Sequence, residues 1–99
     1  GEIHMEDHLL GYIAALVQET RQTHELYLGA SPRASLAILT TAKAYAAING
    51  RDFVTPEDIK SMAIPVLVHR VILTPEAEME GRRAQEVLRQ MIDKVEVPR

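Results

Sequence analysis

The chain has no cysteine among its 99 residues. This absence excludes disulfide bonds, thiolate metal ligands and cysteine nucleophiles, and it fits a reducing compartment. The sequence also has no run that is long and apolar enough to cross a bilayer, and no segment with the pattern of a secretory signal. We therefore expect a cytoplasmic domain that does not contact a membrane.

Basic residues are in the minority. The chain has 11 lysines and arginines but 14 aspartates and glutamates, which gives a formal net charge of -3. Because general nucleic-acid binders are usually basic, this balance argues against nucleic acid as a partner. With 46% hydrophobic and 25% charged residues, the composition is that of one ordinary globular domain with a single modest core.

Two motifs of nucleotide hydrolysis are missing. The sequence has no glycine-rich phosphate loop of the G-x-x-x-x-G-K-[ST] type, and no apolar strand that ends in paired acids able to hold magnesium. The chain therefore cannot bind and hydrolyse a nucleotide by itself. No histidine and aspartate can be placed around Ser31 or Ser35 to make either serine a nucleophile, so we expect no catalytic residue in this chain.

The remaining candidate ligands are weak. His4 and His8 have the i,i+4 spacing of a helical metal pair, but they lie at the start of the chain and no third ligand stands nearby, so we predict no metal site. Glu76, Glu78 and Glu80 are interpreted as a solvated acidic loop, because nothing in their surroundings signals the burial that a general acid needs.

Apolar spacing predicts an all-α fold, a small four-helix bundle with a short extended segment near 71–74. Residues 1–6 are expected to be a linker or a cloning remnant, and residues 7–99 the folded domain. The second helix, being apolar nearly all round, is expected to be the central and most buried one. The four predicted helices run from an Asp7 cap to about His24, from Pro32 to about Asn49, from a Thr55 cap to a kink or end at Pro65, and over 83–95.

The most informative stretch is residues 29–34, Gly-Ala-Ser-Pro-Arg-Ala. Ser31 is a good N-cap and Pro32 suits the first position of a helix. Arg33 then lies in the first turn, where the helix dipole disfavours a cation by about 0.3–1 kcal/mol but favours an anionic ligand. A residue that breaks a local rule without structural gain suggests function. The stretch therefore makes Arg33 a candidate phosphate contact.

Two further arginines are second-rank candidates, since both are expected next to loops at helix ends. Arg51 follows Gly50, and we favour a solvated residue there. Arg70 is expected near a helix C-terminus, where a cation is favourable, and we prefer that structural role to a contact with a neighbouring subunit.

Two runs stand out together, Leu-Gly-Ala-Ser-Pro-Arg-Ala at 28–34 and Gly-Arg-Asp-Phe-Val-Thr-Pro-Glu-Asp-Ile at 50–59. The patterns Tyr-Ile-x-x-Leu-Val at 12–17 and Val-Leu-x-His-Arg at 66–70 flank them. In the order and spacing of these motifs, nearly the whole chain resembles the C-terminal lid domain of AAA+ ATPases of the MoxR family.

The resemblance implies a helical lid that follows a large nucleotide-binding domain. It makes Arg33 the second sensor, an arginine that reaches the γ-phosphate of ATP on the large domain, with Ser31 and Pro32 as the framework of the helix start. ATP and Mg²⁺ are then cofactors of the full-length protein only. The implied partners are the large domain of the same parent chain, neighbouring subunits of a hexamer, and a von Willebrand A-type protein. The implied activity is chaperone-like remodelling driven by ATP hydrolysis.

Two other interpretations stay open at this point. The long second helix followed by Gly-Arg-x-x-Val-Thr-Pro-x-Asp-Ile also resembles a histone-fold module, which would dimerise and associate with DNA. The acidic balance, Pro65 and the fourth helix oppose it. A helical docking domain with no link to a nucleotide is the third interpretation.

Overall fold

The structure is a computed structural model that describes residues 2–28 and 31–98, without the side chain of Ser31. Its described part is mostly helical, with a small two-stranded sheet, and thus confirms the expected helical lid-type fold. The elements in chain order are α1 (Asp7–Gln22), β1 (Leu26–Leu28), α2 (Ser31–Ile48), α3 (Pro56–Leu67), β2 (Val71–Leu73), α4 (Pro75–Met79) and α5 (Ala84–Lys94).

One apolar core holds α1, α2, α3 and α5 together. It is filled by residues at helical spacing, and Leu16, Ile38, Ile59 and Leu88 are fully buried in it. The amphipathic α5 packs against α1 and α3. The helix α2 contacts α1 and α3. It buries Ala34, Ile38, Ala42 and Ala46, which follow one another at spacings of four along one side, and leaves its opposite side in solvent. The expectation that α2 is the most buried helix is therefore wrong, since α1 buries six residues.

The third helix does not end at its internal proline. Of the two outcomes expected near Ile64, a kink or an end, the end is therefore wrong. It runs through Pro65 to Leu67. Pro65 cannot donate to the carbonyl of Ser61, but only two helical residues follow it, so little of the hydrogen-bonding ladder is lost. The amide of Val68 donates to Ile64 O at 2.9 Å, which closes the turn beyond the proline.

A short antiparallel ribbon joins two stretches that are distant in sequence. Leu26 pairs with Leu73, Tyr27 with Ile72 and Leu28 with Val71. The extended segment expected near 71–74 is confirmed as β2, whereas β1 lies between the first two predicted helices, where no strand was expected. Three residues are too few to show the alternation that identifies a strand in sequence.

The predicted acidic loop of Glu76, Glu78 and Glu80 is also corrected. Residues 75–79 form α4, which begins behind Thr74, whose hydroxyl accepts from the amide of Ala77 at 3.3 Å. Thr74 and Pro75 are the N-cap and the first residue of α4, as Thr55 and Pro56 are of α3. The sequence therefore contained the pattern that begins a helix, but the helix has only five residues and buries only Ala77.

The first residues are attached to the bundle. His4 forms a parallel bridge with Phe53, in which the amide of His4 donates to Asp52 O at 2.7 Å and that of Val54 donates to His4 O at 3.0 Å. Ile3 and Met5 pack against the core. Asp7 is the first residue of α1, and the preceding Glu6 occupies the cap position without a side-chain hydrogen bond. That residues 1–6 are a linker stays a prediction.

Candidate functional site

The N-terminal end of α2 is positioned by structure on both sides. Before it, β1 is held by its pairing with β2. After it, Ala34 and Ile38 are fully buried and fix the rotation of the helix about its own axis. The helix begins at Ser31, one residue earlier than expected, and Pro32 is exposed. Gly29, Ala30 and the side chain of Ser31 lie outside the described residues, so the expected cap by Ser31 stays a prediction.

Arg33 lies in the first turn of this helix and is exposed, directly before the buried Ala34. Among the residues that the structure describes, its guanidinium has neither an ion pair nor a hydrogen bond. The first turn has no acidic residue. Arg33 is therefore an uncompensated cation at the positive end of an 18-residue helix, a combination that suits an anion carried by another body.

Arg51 has a different role from the one that we expected. Its guanidinium binds both carboxylate oxygens of Asp58, with Nη1–Oδ2 at 2.5 Å and Nη2–Oδ1 at 2.6 Å. It also donates to Phe53 O at 3.2 Å and lies over the Phe53 ring, 5.7 Å from its centroid. The interpretation of Arg51 as a solvated residue is wrong, because the buried Asp58 requires a cation.

Asp58 and Thr55 form a capping box at the start of α3. The hydroxyl of Thr55 accepts from the Asp58 amide at 3.2 Å, and Asp58 Oδ2 accepts from the Thr55 amide at 2.8 Å. The hydrogen bond from Arg51 is the largest cause that lowers the pKa of the Asp58 carboxyl, although burial opposes it. The spacing Thr-x-x-Asp announced this cap, whereas the ion pair seven residues apart had no signal in the sequence.

Arg70 follows the C-terminal turn of α3, and its amide donates to Leu67 O at 2.8 Å. It is half-buried. Its place is consistent with a cation at a helix C-terminus, and no observation assigns its side chain to a ligand.

The structure offers no metal site within residues 2–28 and 31–98, since no three histidine or acidic side chains there are close enough to share an ion. His4 precedes α1, so it does not share a helix with His8, and its ring instead contacts Glu6 at 3.1 Å. Of the nucleotide site implied by the resemblance, Arg33 fits a phosphate contact. In the same described ranges, no helix is long and apolar enough to cross a membrane.

Comparison with known proteins gives a consistent family. The model of the AAA lid domain matches residues 18–91. Among curated relatives, Uncharacterized protein YeaC of Bacillus subtilis is 42% identical over 97% of the chain, and Chaperone MoxR1 of Mycobacterium tuberculosis is 33% identical over 91%. The chain spans 30% and 26% of these two relatives.

A solved structure gives the same result. The crystal structure of an inferred ATPase of Cytophaga hutchinsonii superposes with a TM-score of 0.89 at 34% identity, and the match covers 99% of this chain and 32% of that one. The lid interpretation is thereby favoured over the histone-fold module. The chain belongs to the AAA lid domain family, as the lid domain of a MoxR-like ATPase.

Proposed function

We propose that Arg33 contacts the terminal phosphate of ATP bound to a AAA+ nucleotide-binding domain in the same full-length chain. The observation that supports this most is the guanidinium in the first turn of α2, which is exposed and has no partner within residues 2–28 and 31–98. An arginine binds phosphate oxygens with charge-assisted, often two-pronged hydrogen bonds. ATP with Mg²⁺ supplies the cleavable phosphate, and this chain supplies the contact that depends on it.

The consequence for the domain follows from the rigidity of α2. Arg33 is joined to the core by Ala34 and Ile38, so holding its guanidinium holds the whole domain in one position. When the terminal phosphate is gone, Arg33 has no partner and the domain is released. A near-complete change of position requires a difference of about 5.5 kcal/mol between the two states.

The wider activity is proposed from the resemblance together with the named relatives. The full-length chain acts in the cytoplasm as a chaperone-like ATPase that assembles into a hexamer and remodels partner proteins, with a von Willebrand A-type protein as one partner. The relatives named MoxR support this class of activity.

The test is ATP turnover by the full-length chain at saturating ATP. Arg33→Ala is expected to lower turnover at least tenfold, since a hydrogen bond to a charged group contributes about 1.5–3 kcal/mol. Arg33→Lys keeps the charge but not the two-pronged geometry. Its turnover should therefore lie between that of the unaltered chain and that of Arg33→Ala. The control is Arg89→Ala, an exposed arginine of α5. Unchanged turnover in Arg33→Ala would refute the sensor role.

A further inference from the structure

The outer edge of β2 carries backbone groups without partners. In an antiparallel pair, successive residues alternate between pointing their amide and carbonyl at the partner strand and pointing them away from it. The amide of Thr74 donates to Glu25 O at 2.9 Å, so Ile72 also faces β1. The amides and carbonyls of Val71 and Leu73 therefore point away from β1. None of these four groups has a hydrogen-bond partner within residues 2–28 and 31–98.

One face of the ribbon is apolar although it is exposed. Tyr27 and Ile72 are direct cross-strand partners, and they are 62% and 70% exposed. The pairs on either side of them turn to the opposite face, where Leu26 and Val71 are buried in the core. A strand added along β2 would place one side chain beside Ile72, and an apolar side chain there would extend the row.

A pocket of about 380 Å³ adjoins this edge at the point where β2 passes into α4. Its lining consists of Leu73, Pro75, Glu78 and Met79. Glu78 is exposed, and its carboxylate has no ion pair or hydrogen bond among the described residues. Three apolar walls and one free carboxylate suit a lysine or an arginine, because its aliphatic stem packs on apolar surface while its charged head stays in water beside the acid.

The charges at the two ends of β2 differ in sign. Arg70 precedes the strand, whereas Glu76 and Glu80 join Glu78 on the helix that follows it. All three carboxylates are exposed, and none is paired with a side chain in the part of the chain that the structure describes. The end of the edge beside α4 therefore favours a basic residue on whatever lies along β2.

We infer that the edge of β2 and the adjoining pocket bind an extended segment of a partner protein, as a third strand of the ribbon. Main-chain hydrogen bonds to Val71 and Leu73 hold the segment. One of its side chains is apolar and lies beside Ile72. Because side chains of a strand alternate between faces, the next residue points to the face of Leu73 and reaches the pocket as a lysine or arginine. This site does not depend on Arg33 or on ATP.

Binding of a synthetic peptide to the full-length chain tests the inference. The probe is a short, end-blocked fluorescent peptide that alternates valine and lysine, and fluorescence anisotropy measures its affinity. Two control peptides separate the contributions. Glutamate in place of lysine removes the charge complementarity, and N-methylation of every residue removes the main-chain donors. Saturable binding of the probe and no binding of either control is expected. Failure of the probe to bind, or equal binding of a control, would overturn the inference.

Paired variants locate the bound peptide. Glu78→Gln should weaken binding about 1.5- to 5-fold, as for an exposed ion pair. Its control is Glu57→Gln, an exposed acid at the end of α3 that is remote from the ribbon. Ile72→Ser should weaken binding by a similar factor, and its control is Ile48→Ser on the exposed side of α2. Both controls should leave the affinity unchanged, and equal effects within either pair would overturn the inference.

Two further measurements separate the remaining outcomes. Arg33→Ala should bind the peptide as tightly as the unaltered chain, so a failed phosphate contact and a failed peptide site are told apart. The affinity should also be independent of the concentration of the full-length chain. An affinity that falls as the chain is concentrated would show that a second copy covers the edge of β2, and would overturn the inference in favour of self-pairing.

Discussion

Arg51 and Asp58 are joined by two hydrogen bonds, and this ion pair connects the end of α2 to the start of α3. The carboxylate is nearly inaccessible, with 3% of its side chain exposed against 28% for Arg51. Asp58 also completes the Thr55 cap. One buried acid thus fixes both the angle at which the chain leaves α2 and the first turn of the next helix.

Stability should depend on pH through this carboxyl. The folded state lowers the pKa of Asp58 below its usual value of 3.8, chiefly through the Arg51 hydrogen bond. Its contribution is therefore present above about pH 4, and it is lost as the pH falls through the lowered pKa. Urea unfolding at pH 7, 5, 4 and 3 measures this. Asp58→Asn should be less stable at pH 7 and show a smaller loss between pH 5 and 3. A parallel loss in both proteins would contradict the assignment.

The cap itself can be tested without the ion pair. Thr55→Ala removes the hydroxyl that accepts from the Asp58 amide and should cost about 1 kcal/mol. In a domain of this size, that corresponds to a fall in melting temperature of about 4–8 °C. Thr40→Ala is the matched control, since Thr40 is exposed inside α2, and it should leave the melting temperature unchanged or slightly higher. Calorimetry compares the two.

Truncation of two leucines should have very different effects on stability. Leu88 is fully buried between α5 and its neighbours, so Leu88→Ala should lower the free energy of unfolding by about 2–5 kcal/mol. Leu36 is 61% exposed in this domain, and Leu36→Ala should change that free energy by less than about 0.5 kcal/mol. Denaturant titration of the two variants checks the assignment of core and surface. Comparable losses would show that α2 is oriented differently.

Tyr12 offers a prediction in the stabilising direction. Its hydroxyl is buried and has no hydrogen-bond partner among the described residues. Burial is the largest cause that raises the pKa of Tyr12, followed by the charges of Glu57 and Asp93. Because an unsatisfied buried hydroxyl is costly, Tyr12→Phe should be neutral or more stable by up to about 1 kcal/mol. A destabilised variant would contradict this assignment, because it would show that the hydroxyl stabilises the fold.

Arg82 joins the ribbon to the last helix and can be tested by amide exchange. It contacts Glu25 at 3.0 Å, Glu86 at 2.8 Å and Gln90 at 2.6 Å. Arg82→Ala should lower the free energy of unfolding by about 1 kcal/mol or less, because partly exposed ion pairs contribute little to stability. The loss should be local, with faster exchange in β1 and β2 and unchanged exchange in α2. Faster exchange throughout would indicate a general loss of stability instead.

The sequence predicted the parts of this fold that depend on local chemistry. The Thr55 cap, the apolar spacing of α5 and the first turn that carries Arg33 were all visible as short patterns. It failed where partners distant in the chain decide the outcome. The pairing of Tyr27 with Ile72 and the Arg51–Asp58 ion pair require the folded geometry. The open side of α2 also could not be predicted, because a helix rich in alanine reads as buried whichever neighbours are present.

The positions of Arg33 and of the bridge between His4 and Phe53 together determine how the domain would respond to a force on α2. The bridge lies close to the carboxyl end of α2, whereas Arg33 lies in the first turn, about 22 Å away along the helix. Since Ala34, Ile38, Ala42 and Ala46 are all fully buried, α2 is fixed to the core along nearly its whole length. Under the proposed function, a displacement of Arg33 would therefore move the whole domain and not α2 alone.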